Sequence, residues 1–179
     1  MKTSRWRLLP AMIPLIVLLA AAAPSAARHL QDVYNEAGPG EGYDRLVVLD
    51  PAEVYTGYLV ALGNTSCCLR GNGALIVLDE GAQIWAGAGT RLDVEGCIIT
   101  GGSYGISYDY AATSVVSNCT LAGNGVGLRT WISDVTVTDC IIADNDEYGI
   151  ACREGYEPTV MYNDVWSNGE LNYAAFCPT

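Results

Sequence analysis

The sequence predicts an all-β solenoid: a parallel β-helix of about six coils, each about 22 residues long. Three observations predict it. One pattern returns four times at intervals of 21 to 23 residues. It reads Val94-Cys97-Ile99-Gly102, Val116-Cys119-Leu121-Asn124, Val137-Cys140-Ile142-Asn145 and Val160-Asn163-Val165-Asn168. A glycine followed by an aliphatic residue then recurs as Gly105-Ile106, Gly127-Leu128 and Gly149-Ile150. Finally, each unit is shorter than the roughly 30 residues of a strand–helix–strand crossover. It is also built of Val, Ile and Leu set among Gly, Asn, Asp, Ser and Thr, a composition that reads as short strands broken by turns.

The local spacing of two, as in Val135 and Val137, puts both side chains on one face of a strand. In a winding chain each strand lies on its equivalent one coil earlier, at roughly 4.8 Å. Positions that share a place in the repeat therefore stack into columns. Cys97, Cys119 and Cys140 form one column and Asn163 continues it. An inward Cys is a small buried apolar group, and an inward Asn there can bond to backbone or to a neighbouring Asn. The column Gly102, Asn124, Asn145, Asn168 is expected at a position with positive φ, which Gly and Asn tolerate best. Upstream, the runs Leu46-Val47-Val48-Leu49 and Ala74-Leu75-Ile76-Val77-Leu78 have strand character, so residues 45–90 are read as two less regular coils.

On these units the chain resembles the right-handed parallel β-helix proteins of the pectate-lyase-like superfamily. The resemblance covers about residues 91–179. The segment Tyr162-Asn163-Asp164-Val165-Trp166-Ser167-Asn168-Gly169 is similar to repeats of the secreted bacterial type. The resemblance is specific for fold and weak for function.

The two ends frame the domain organisation. Lys2, Arg5 and Arg7 precede an apolar stretch from Leu8 to Ala23, and Ser25-Ala26-Ala27 supplies small residues for cleavage. Residues 1–27 are thus read as a secretion signal. Residues 28–44, which include His29-Leu30-Gln31-Asp32-Val33-Tyr34 and Gly38-Pro39-Gly40, are read as an N-terminal cap hiding the first rung. Residues 45–179 are the repeat domain. Its end at Cys177-Pro178-Thr179, directly after a repeat, is read as a truncation or as an end shielded by another chain or a second copy.

Without residues 1–27 the chain keeps all 20 acidic residues against six arginines and no lysine, a net charge of about −14. Such a surface argues against nucleic acid, anionic membranes and polyanionic substrates. Export permits disulfides among the seven cysteines. Cys152 and Cys177 lie 25 residues apart at near-equivalent places on the last two coils, and a rung spacing falls inside the Cα–Cα window of a disulfide. Neighbours in the 97/119/140 column could also pair or stay a reduced buried ladder, and a bond between Cys67 and Cys68 would be strained. No cysteine spacing fits a zinc site, and no metal is expected. Calcium enters only through Asp144-Asn145-Asp146-Glu147, four oxygen-bearing side chains in one turn, which could form part of such a site.

The resemblance implies a search for polysaccharide chemistry. The polygalacturonase-like set of Asn-Thr-Asp, Asp-Asp, Gly-His-Gly and Arg-Ile-Lys is absent, and the single histidine, His29, lies outside the repeat. A pectate-lyase-like arrangement needs a basic residue beside a carboxylate cluster, and no arginine is so placed. No catalytic residue is assigned. Aligned on the repeat glycines, Ser107-Tyr108-Asp109-Tyr110, Arg129-Thr130-Trp131 and Cys152-Arg153-Glu154 stack Asp109 over Trp131 over Arg153. Tyr108, Asp109, Tyr110, Arg129, Trp131, Arg153 and Glu154 are therefore the candidate carbohydrate contacts, because aromatic faces beside charged groups suit a sugar ring.

Three functional readings follow. The first is a secreted or cell-surface β-helix without catalytic activity, a rigid display or carbohydrate-contacting module, with the periplasm as an alternative location. The second is a polysaccharide lyase or glycoside hydrolase whose catalytic coils lie elsewhere or are unrecognised. The third is an adhesin-like surface protein.

Overall fold

The computed structural model describes residues 27–174 and 176–177; the secretion signal proposed for residues 1–27 falls almost wholly outside them. The described chain is a parallel solenoid of six coils, each of three strands. Strand β1 (Arg28–His29) and helix α1 (Leu30–Glu36) precede it. Coil 1 comprises β2 (Arg45–Val48), β3 (Val54–Gly57) and β4 (Leu59–Ala61), and coil 2 β5 (Ser66–Arg70), β6 (Leu75–Leu78) and β7 (Ile84–Ala86). Coil 3 holds β8 (Arg91–Glu95), β9 (Ile98–Thr100) and β10 (Tyr104–Asp109), and coil 4 β11 (Ser114–Ser117), β12 (Thr120–Ala122) and β13 (Val126–Trp131). Coil 5 holds β14 (Val135–Thr138), β15 (Ile141–Ala143) and β16 (Tyr148–Cys152), and coil 6 β17 (Thr159–Met161), β18 (Asp164–Trp166) and β19 (Leu171–Tyr173). Equivalent strands pair in parallel, giving a first sheet from β2 to β17, a second from β1 to β18 and a third from β4 to β19.

The register stacks like on like. In the first sheet Val47, Leu69, Val94, Val116, Val137 and Val160 form one inward column. The second sheet contributes Tyr55, Ile76, Ile99, Leu121, Ile142 and Val165. The third contributes Leu59, Ile84, Ile106, Leu128, Ile150 and Tyr173. All but the coil 6 members are buried, and those three pack partly exposed against the same core. Burial of each such side chain contributes roughly 1.5–3 kcal/mol, so the three columns supply the main drive for winding.

The bends are filled by two further columns. Ala74, Cys97, Cys119 and Cys140 lie buried between the first and second sheets, with Asn163 continuing the line. The thiols of Cys119 and Cys140 sit 3.2 Å from the Ser117 and Thr138 carbonyls, and Asn163 accepts from Cys140 N at 2.9 Å while donating to Val137 O at 2.8 Å. Between the second and third sheets stands an asparagine ladder. Asn124 Nδ2 donates to Asn145 Oδ1 at 3.2 Å, Asn145 Nδ2 to Asn168 Oδ1 at 2.8 Å, and Asn168 Nδ2 to Asn172 Oδ1 at 3.1 Å. Each amide also donates to a carbonyl one coil back, from Ile99, Leu121 and Ile142 respectively.

This corrects the expectation of positive φ for that column. Asn124 and Asn145 are 1% exposed and inward, and the left-handed residues stand one place earlier: Gly101, Gly123, Asp144 (φ 53°) and Ser167 (φ 57°). The turn must reverse the chain just before the ladder, so strain falls on the exposed residue, and Asn is retained because its amide satisfies buried backbone. The repeat glycines have a different cause. A Cβ at Gly127 would stand 2.7 Å from Gly149 O and 2.7 Å from Ile142 Cγ2, so the backbone passes too close to the next coil for any side chain.

Helix α1 lies against coil 1, burying Leu30, Val33 and Tyr34. Gln31 serves the free edge of β4, its Oε1 accepting from Val60 N at 2.6 Å. Arg45 donates to the carbonyls of Tyr34, Asn35 and Ala37 at 2.5, 3.0 and 2.9 Å, closing the helix C-terminus as a cation should. Residues 38–44 then run as a strap over the outer face of the first sheet. Glu41 pairs with Arg70 at 2.9 Å, Tyr43 Oη donates to Asp93 at 2.6 Å, and Asp44 accepts from Ser66 N and Oγ at 2.8 Å each. Cys67 faces the core and Cys68 the strap, both buried, so the vicinal pair points to opposite sides of β5.

Two predictions follow from these contacts. Asn145→Gly is expected to cost about 3 kcal/mol in denaturant unfolding, since it orphans several buried groups, whereas Asp144→Gly is expected to stay within about 1 kcal/mol of wild type because only the backbone conformation matters there. Arg70 holds the Glu41 carboxyl below its ordinary range, and the Ser66 backbone and hydroxyl do the same for Asp44. A depressed carboxylate stabilises the fold above its unfolded pKa and ceases to do so as pH falls through the folded value. The melting temperature is thus expected to drop below about pH 4.5, and the Glu41→Gln, Asp44→Asn double variant to show a shallower drop in a thermal titration from pH 6 to 3.

Candidate functional site

The outer face of the third sheet carries two outward columns. One runs Val60, Trp85, Ser107, Arg129, Ala151. The other places Asp109 beside Trp131, with Arg153 following one coil on. Parallel stacking in register brings residues 20 to 24 apart in sequence within contact distance, and this produces the site.

Asp109 is its hub. It accepts from Arg129 Nη2 at 2.8 Å and from Trp85 Nε1 at 3.1 Å. The Arg129 guanidinium carbon lies 5.1 Å from the Tyr104 ring centroid and 5.5 Å from that of Trp131. Arg153 lies 5.1 Å from the Trp131 centroid on the following coil. Both guanidinium groups lie within cation–π distance of Trp131, which remains 39% exposed. Arg153 is exposed and makes no ion pair with the described residues. Ser107, between Trp85 and Arg129, is fully buried and its Oγ has no hydrogen-bond partner among the described residues.

Of the residues expected to contact sugar, the structure brings Asp109, Arg129, Trp131 and Arg153 together. Tyr110 stands exposed in the turn after Asp109, its N–H bonded to Trp131 O at 2.9 Å. Glu154 is exposed in the turn after β16, and no hydrogen bond ties it to the group. Tyr108 is a correction: it is 0% exposed, and its hydroxyl donates to Leu92 O at 2.8 Å inside the solenoid. Strand alternation turns it inward, since its neighbour Asp109 points out. Trp85 and Tyr104 were missed by sequence reasoning, although stepping 22 residues back from Ser107 reaches Trp85.

Two other groups were also invisible in the sequence. A groove of about 330 Å³ on the first sheet is lined by Tyr43, Cys68, Arg70, Arg91, Asp93 and Glu95. There Asp93 accepts from Arg91 at 2.5 Å and from Val115 N at 2.9 Å, and Arg70 also meets Glu95 at 3.2 Å. Burial is the main cause holding the Cys68 thiol up at about 11, which keeps it unreactive. A second groove of about 370 Å³ runs past Tyr58, Asp79, Glu80 and Gln83.

A disulfide joins Cys152 to Cys177, with Cα atoms 5.6 Å apart. It ties coil 5 to the segment after β19. In the turn considered for calcium, Asn145 faces inward and spends its amide on the ladder, leaving Asp144, Asp146 and Glu147 exposed. Among the described residues no group of three or more His, Cys, Asp or Glu side chains is arranged to hold a metal ion.

The family model described as "Right handed beta helix region" matches residues 55–177. No curated protein and no solved structure matches the chain. The match spans coils 1 to 6 and fixes the hand of the solenoid: the chain belongs to the right-handed β-helix family.

Proposed function

We propose that the protein is a secreted or cell-surface β-helix module that contacts neutral carbohydrate through the outer face of its third sheet. Residues 1–27 act as the export signal, residues 28–44 as the cap and residues 45–179 as the repeat domain. The observation that carries the reading is Trp131: a partly exposed indole bordered by the guanidinium groups of Arg129 and Arg153. A sugar ring offers an apolar C–H face to such an indole and hydroxyls to the surrounding charged groups. The acidic balance of 20 carboxylates against nine basic residues favours neutral over polyanionic glycans.

A binding role rather than lyase or hydrolase chemistry is supported by how the polar groups are spent. Asp109 is engaged by both Arg129 and Trp85, so neither Asp109 nor Arg129 stands free as a base. The rigid stack of coils would set the face at a fixed distance from whatever the protein is attached to, as display requires.

The test is a panel of neutral oligosaccharides titrated by calorimetry against wild type, Trp131→Ala and Arg153→Ala. Binding by wild type and at least about tenfold weakening in Trp131→Ala, with unchanged circular dichroism, is the expected result. Absence of binding to the panel, or binding indifferent to Trp131, would remove this reading.

A further inference from the structure

The groove of about 370 Å³ lies at the corner between the second and third sheets, between Tyr58 of coil 1 and the turn 79–83 of coil 2. Its walls are held in place. The His29 ring meets Tyr58 edge-on, with centroids 5.0 Å apart. Asp79 N donates to Gly57 O at 3.0 Å, Ala82 N to Asp79 O at 2.9 Å, and Ser103 Oγ of the next coil to Gly81 O at 3.1 Å. Its polar groups, by contrast, are unspent. Gln83 lines the groove half-buried, and its Oε1 has no hydrogen-bond partner among the described residues. Asp79 and Glu80 are exposed, and neither makes an ion pair among the described residues. Tyr58 remains 43% exposed.

Register links this groove to the indole site. Leu59, Ile84, Ile106 and Leu128 align across coils 1 to 4. Tyr58 stands one residue before that line and Trp131 three residues after it. Three rungs and four residues along the strand put them roughly 20 Å apart, on a diagonal across the third sheet. The outward side chains next to the groove on that diagonal are Val60, Leu62 and Trp85. Trp85 Nε1 then donates to Asp109, which lies beside Trp131. An uncharged floor therefore leads from one place to the other.

We infer that the groove is a second carbohydrate subsite, and that one linear neutral glycan spans it and Trp131, lying obliquely across coils 1 to 4. The inference rests on the carbohydrate reading of Trp131 and adds the length and course of the ligand. The chemistry of the groove selects a sugar. A pyranose ring presents an apolar C–H face to Tyr58 and hydroxyl donors to the carboxylates of Asp79 and Glu80. Rotation about the last side-chain bond of Gln83 turns its Oε1 to a ligand hydroxyl, which satisfies an acceptor that the protein leaves open. An organic cation would pair with the same carboxylates, but these are exposed, where such pairing is weak, and it would draw nothing from the floor that leads to Trp131. A short glycan fills only one of the two places. One long enough for both gains by linkage, because its second end binds intramolecularly.

The test is calorimetry of the full chain as exported with cello-, xylo- and manno-oligosaccharides from disaccharide to hexasaccharide. In wild type the affinity is expected to rise at least about tenfold along the best-binding series. Tyr58→Ala and Gln83→Ala are each expected to remove most of that gain and leave disaccharide affinity unchanged, whereas Trp131→Ala weakens every length. Circular dichroism of each variant establishes that it is folded. Trp131-dependent binding that does not strengthen with length overturns this inference and leaves the reading of Trp131 intact. A gain that survives both groove variants does the same, and binding of cadaverine that those variants abolish would then assign the groove to an amine. Absence of binding at every length overturns both.

Discussion

Everything in this molecule depends on each coil lying in register on the one before it. The three aliphatic columns make that stacking favourable but do not make it unique, because an aliphatic column tolerates small slips. The asparagine ladder does. Each inward amide at positions 124, 145 and 168 bonds both to the next asparagine and to a carbonyl of the preceding coil. A slip of one residue would bury these groups without partners, at a cost of about 1–3 kcal/mol each. The ladder therefore sets the register of coils 3 to 6, and that register sets the outward columns there.

The three faces then diverge by sequence alone. On the third sheet, positions one coil apart bring Trp85, Asp109, Arg129, Trp131 and Arg153 into a continuous charged and aromatic band. On the first, the strap of residues 38–44 crosses the coils and ties Glu41, Tyr43 and Asp44 to Arg70, Asp93 and Ser66. On the second, nothing charged projects over five coils. The solenoid thus presents one polar-aromatic face and one neutral face.

Much of the fold was legible in the sequence because a solenoid writes its period directly into the chain. The Cys97, Cys119, Cys140, Asn163 column and the pairing of Asp109 with Trp131 both follow from counting residues. What was misread shows where counting stops. Asn124 and Asn145 were given the wrong role because Asn suits both a left-handed turn and a buried ladder, and only the backbone places the turn at Gly123 and Asp144. Alternation from the inward Ile106 places Tyr108 in the core and Asp109 outward, a step that alignment on the repeat glycines alone does not reveal. The Tyr43, Arg91, Asp93 cluster had no sequence signal, since it joins the strap to a coil 50 residues away.

The most direct test of the central claim is side-chain amide hydrogen exchange at Asn124 and Asn145, followed by NMR in nitrogen-15-labelled protein. If the ladder fixes the register, the Nδ2 hydrogens of both residues will be protected to a degree comparable with the backbone amides of β10 and β13. If they exchange at the rate of a free asparagine amide while those backbone amides stay protected, the ladder does not hold the coils in register, and the account of how the outward faces are assembled is wrong.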